Sequence, residues 1–194
     1  MKFLRLLAHE IVLGTLIAVL SVFTAYVSYQ GSIADSGQNE NEVKAMQQLN
    51  DGNAEYLSAN QFIVYDYTMY DGWYTTDSED KAAYYEVNYS ETLQNAIATD
   101  PENPFSDAYY EEMYASAYEL WDQSDASSEL AGQWDSRGDE LQRVMLIVAL
   151  GLAFAAWASL LKEESKMRLL FAVLAVVTLV AGVIIYLGVP IVAG

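Results

Sequence analysis

The chain has no cysteine, one histidine, three prolines and only nine lysines and arginines among its 194 residues. Without cysteine there is no disulfide, no thiolate nucleophile, no cysteine-ligated zinc or iron–sulfur cluster, and no CxxCH attachment of haem. The one histidine, His9, sits beside Glu10 with no second ligand in view. It therefore reads as an interfacial or packing side chain, and no metal or cofactor is expected. The shortage of bases is sharpest in 30–140, where Lys44, Lys81 and Arg137 are the only ones. That stretch holds every one of the 27 acidic residues except Glu10, Glu163 and Glu164. Phosphate binding needs a basic footprint, so nucleic acid is excluded as a partner.

What is present is segregated. A net charge of -18 coexists with 53% hydrophobic residues, and the apolar residues concentrate in three uncharged runs at 11–29, 144–161 and 169–187. A helix needs roughly 20 such residues to cross about 30 Å of hydrocarbon. The fold class this implies is an all-α membrane protein with three transmembrane helices and an acidic, tyrosine-rich extracytoplasmic helical domain between spans one and two. Residues 1–10 then form a cytoplasmic N-terminus and 30–143 the exterior domain. A tight cytoplasmic link falls at 162–168, and an extracytoplasmic C-terminus at 188–194. Lys2, Arg5, Lys162, Lys166 and Arg168 lie on one side, against Lys44, Arg137 and Arg143 on the other, which puts the N-terminus inside a plasma or inner membrane. The first run also fits a signal peptide with Ser32-Ile33-Ala34 as its cleavage site. It is read here as an uncleaved anchor.

Within the exterior segment, Leu49, Tyr56, Ile63 and Tyr70 recur at sevens, with Met46, Ala59 and Tyr67 on the same broad face. This predicts a helix continuing outward from span one, loosened near Ser36-Gly37 and Asp51-Gly52 and ended by a turn over Asp71-Gly72 and 75–80. Asp77 or Ser78 is expected to cap a helix running through Ala98. Pro101 and Pro104 then forbid continuous helix. Beyond them Phe105, Tyr109, Met113, Ala117 and Trp121 step along one face, and a last helix is expected to start near 125–128 and enter span two.

In this coil, Gln61, the aromatic Phe62, two spacers and Tyr65 resemble a motif of a bacterial membrane-protein family of unknown function. That family is similar in its order of parts, with one anchor, an exterior helical coil and a closing two-span hairpin. Where it continues Gln-Ala-Lys, this chain has Asp66, Tyr67 and Thr68. The resemblance implies a helical membrane architecture and no activity.

Twelve tyrosines lie between Tyr56 and Tyr118. Their apolar bodies and polar tips suit half-buried contacts between chains as well as a core short of leucine. Tyr56, Phe62, Tyr65, Tyr109, Tyr114, Tyr118 and Trp121 are the candidate interface residues. In the spans, Gly14 and Ala18, and Gly151, Ala155 and Ser159, recur at fours and let helices approach closely. The acidic faces could hold cations weakly, but Asp77-Ser78-Glu79-Asp80 and Asp100-Glu102-Asn103 lack EF-hand spacing. Pairs such as Glu111 and Glu112 come with no nucleophile–base set, so no enzymatic activity is expected. Asn88-Tyr89-Ser90 fits the glycosylation triplet. The function expected is a structural or accessory membrane protein in contact with lipid, assembling into a homo-oligomer or larger complex. The alternative is an oligomeric cation channel with an acidic vestibule, its path lined by Thr15, Ser21, Thr24 and Ser28 of span one.

Overall fold

The computed structural model describes residues 7–192. Lys2 and Arg5, which carry part of the orientation argument, lie outside the described residues. All regular elements among those described are helices: α1 (Glu10–Thr75), α2 (Glu79–Val87), α3 (Glu91–Thr99), α4 (Asp107–Leu160) and α5 (Lys166–Leu187). They form two compact units. One comprises the chain up to Asn41 and from Glu129 onward; the other is Glu42–Ser128.

In the first unit, Leu20, Val27 and Ala34 of α1 pack on Leu141, Val144, Val148 and Ala155 of α4 and Ala175 of α5. Small residues hold these helices close. A side-chain carbon at Gly151 would run into Thr178 Oγ1, and one at Gly182 would meet Val148 Cγ2 at 2.6 Å. The opposite surfaces stay apolar and uncovered, with Ile11, Val22, Leu146, Leu160 and Ile184 all exposed. The three helices α1, α4 and α5 are long and apolar enough to cross a membrane, and no more than 28% of any of their apolar windows is buried within the protein. Apolar surface left outside a helix bundle on this scale needs lipid or further protein to cover it.

The hairpin between α4 and α5 is locked by an arginine counted in the sequence among the bases of the 162–168 link. Arg168 is buried, donating from Nε to the Ala8 carbonyl at 2.8 Å and from Nη1 to the Leu161 carbonyl at 2.7 Å. Leu161 lies at the C-terminal end of α4, where unsatisfied carbonyls favour a cation. Ser165 caps α5 by accepting from Met167 N.

The expected interruptions of α1 are absent. The helix runs unbroken through Gly37, Gly52 and Gly72 to Thr75, and the chain turns only between Thr75 and Glu79, within the expected 75–80 stretch. These glycines act as notches for aromatic rings, not as hinges. A carbon added at Gly37 would lie 2.7 Å from the Trp134 ring, one at Gly52 2.6 Å from Trp121, and one at Gly72 2.5 Å from Tyr85. Helix α4 is likewise one element from Asp107, without the expected restart near 125–128. The proline break holds, since helix is lost between Thr99 and Asp107.

Candidate functional site

The densest polar chemistry in the second unit surrounds Asp66, whose carboxylate is fully buried. It lies on the inward face of α1, one turn beyond Ile63. Oδ1 accepts from the backbone N–H of Ser90 at 2.9 Å. Oδ2 accepts from the Ser90 hydroxyl at 2.5 Å and from the Tyr109 hydroxyl at 2.8 Å. All three donors are neutral, so the carboxyl group is held in place by hydrogen bonds alone. Ser90 also works in the opposite direction, as its Oγ accepts from Leu93 N at 3.1 Å and caps α3. This relay explains why the helix expected to run through Ala98 divides at Asn88-Tyr89-Ser90. The chain leaves helical geometry there to bring Ser90 onto Asp66, and α3 restarts from the capped serine.

Around the carboxylate stands an aromatic core. Ile63, Tyr89, Leu93 and Tyr109 are buried, with Tyr70, Trp73, Phe105 and Tyr114 packed against them. Phe105 stacks on Tyr67 with centroids 4.1 Å apart and meets Tyr109 edge-on at 5.2 Å. Tyr67 and Tyr110 share a hydroxyl hydrogen bond of 2.6 Å. Further along α1, Tyr114 donates to Asn60 Oδ1 at 2.9 Å, Ser127 to Gln48 Oε1 at 2.7 Å, and Ser124 to the Ala45 carbonyl at 2.9 Å. Each joins α1 to α4.

Electrostatics follow burial. Tyr109 is raised well above the ordinary tyrosine value by burial first, then by its bond to Asp66. Tyr89 is pushed up to about 12 by burial and the charge of Glu86. Tyr110 is pushed up to about 12 by its bond with Tyr67 and by burial. A tyrosine raised in the fold contributes stability that is full below its unfolded value of 10.0 and lost as pH climbs through its folded one. Alkaline titration of the full chain should therefore show loss of helix between pH about 10 and about 12, together with the buried rings' tyrosinate absorbance. Tyrosinate forming throughout that window with helix content unchanged would contradict this.

The candidate interface residues divide. Tyr56, Tyr114, Tyr118 and Trp121 come together in one cluster, Tyr56 stacking on Tyr114 at 4.9 Å and tilting onto Trp121 at 5.6 Å. Phe62 and Tyr65 are exposed on α1. Tyr109 is a core residue instead, 1% exposed, because its hydroxyl reaches inward to the buried carboxyl group of Asp66. Of the span residues, Gly151 and Ala155 pack inside, whereas Gly14, Ala18 and Ser159 are exposed. Sequence reading passed over Asp66 and Ser90. The available signal was an acid on the heptad face, three residues after Ile63 and four before Tyr70. No group of three or more metal-binding side chains occurs among the described residues. No family model, no curated protein and no solved structure matches the chain.

Proposed function

We propose that this is a non-enzymatic structural or accessory protein of the membrane, assembling through its spans and its acidic helical domain into a homo-oligomer or larger complex. The observation that carries this reading is where the domain directs its polar side chains. The buried Asp66, Ser124 and Ser127 of the second unit are engaged in bonds between its own elements, while the buried Tyr89 hydroxyl and Trp121 Nε1 have no hydrogen-bond partner. Such bonds hold a shape. The apolar outer surfaces of α1, α4 and α5 support residence in a bilayer, and the distribution of Lys2, Arg5, Lys162, Lys166 and Arg168 against Lys44, Arg137 and Arg143 in the sequence supports an N-terminus in the cytoplasm with the acidic domain outside. The exposed Phe62, Tyr65 and Tyr118 leave aromatic area for a partner.

The test is the native mass and composition of the particle extracted from membranes in mild detergent. Several copies of this chain, or this chain with other subunits, is the expected result. A single isolated copy at every protein concentration would overturn it.

A further inference from the structure

A second period runs along α1 in the second unit, one position off the heptad Leu49, Tyr56, Ile63 and Tyr70. Val43, Met46, Asn50, Leu57, Gln61 and Val64 recur at intervals that place them on one helical face, and all are exposed. The apolar members are large and open to solvent, Leu57 at 62% and Val64 at 66%. No residue of this face carries a charge, in the segment that holds nearly all of the chain's 27 carboxylates. Lys44, Asp51 and Glu55 fall off the period, and Asp66 is buried on the other side. Counted back in the sequence, the same spacing reaches Ser32, Ala25, Ala18 and Gly14 in the first unit, which are exposed and uncharged as well.

We propose that this face of α1 is the docking surface for a second copy of the same chain, the two helices pairing side by side and parallel with Asn50 opposite Asn50. The proposal rests on the assembly reading above and names its partner. Charge selects the occupant. A basic protein would be drawn to the carboxylate faces, whereas an identical acidic chain can approach closely only where carboxylates are absent. Chemistry agrees, because an amide both donates and accepts and so pairs with its own copy, which a carboxylate does not. A single asparagine among apolar residues at seven-residue spacing, as in Val43, Asn50, Leu57 and Val64, fixes register and favours two parallel strands. Copies inserted by the same spans also share one direction. From Val43 to Val64 the seam would run about 32 Å at 1.5 Å per residue.

The absence of native cysteine makes the test clean, since a single introduced thiol reports alone. In full-length protein in detergent or vesicles, Leu57→Cys should yield a disulfide-linked dimer on mild oxidation. Glu55→Cys, off the face, should yield at least tenfold less. Adding Asn50→Asp to Leu57→Cys should cut the cross-link at least tenfold with helix content unchanged, because position 50 is exposed in the single chain. Equal cross-linking at positions 55 and 57, or no effect of Asn50→Asp, would overturn the proposal. A particle of several copies without the Leu57→Cys cross-link would overturn this face while the assembly reading stands. A single isolated copy would overturn both.

Discussion

Asp66→Ala should destabilise the protein by about 3 to 5 kcal/mol, through the loss of one acceptor shared by three donors. The substitution leaves the Tyr109 hydroxyl buried with no acceptor, and each such orphaned donor costs about 1 to 3 kcal/mol. It also frees Ser90, whose backbone and hydroxyl are both held by the carboxylate while its oxygen caps α3. Loss of a cap adds about 1 kcal/mol. Asp66→Asn should cost less, about 1 to 2 kcal/mol, because the amide oxygen keeps one acceptor in place. Urea unfolding of the full chain in detergent, followed by circular dichroism, measures both. A change of under about 1 kcal/mol for Asp66→Ala would remove the carboxylate from the centre of this domain.

The second large effect sets packing against helix propensity. Exposed in a helix, glycine to alanine gains up to about 1 kcal/mol. At Gly52 the sign reverses. The new carbon would lie 2.6 Å from Trp121 Cδ1, 2.7 Å from its Nε1 and 3.3 Å from the Ala117 carbonyl oxygen, so the indole or the backbone must move. Gly52→Ala should cost about 1 to 3 kcal/mol, with a shift in tryptophan fluorescence as the ring is displaced. Gly132→Ala in α4 is the control, since nothing lies within 4 Å of the added carbon there. It should gain about 0.5 to 1 kcal/mol. Equal and favourable changes at both positions would mean that Trp121 does not occupy the notch.

The same glycines show what could be read from the residues and what could not. Hydrophobic runs of span length and a pair of prolines act locally, so the three apolar helices and the break before Asp107 were legible. The heptad was legible only in part: Ile63 and Tyr70 lie in the aromatic core, whereas Leu49 and Tyr56, with Met46 and Tyr67 from the same expected face, are exposed. Gly37, Gly52 and Gly72 were not, because a glycine as flexible point and a glycine as recess look alike until the facing ring is known. Asp66 was hidden by its company. Among so many solvated carboxylates, one that turns inward is marked only by its donors, Ser90 and Tyr109, which lie 24 and 43 positions away. The division of the helix at Ser90 follows from those long-range bonds, against a local sequence that suits continuous helix. The bonds of Arg168 were hidden similarly, since its carbonyl acceptors carry no side-chain signature.

Helix α2 occupies the other extreme from Asp66. Its nine residues bury no side chain, and Ser78 at its start makes no side-chain cap bond. One ring, Tyr85, sits in the recess at Gly72. A segment with so little area to lose opens at small free-energy cost while the remainder stays folded. Graded cooperativity is the expected result: in hydrogen exchange α2 should open by itself and first, and the second-unit parts of α1 and α4 should exchange with α3 only as their shared carboxylate network breaks.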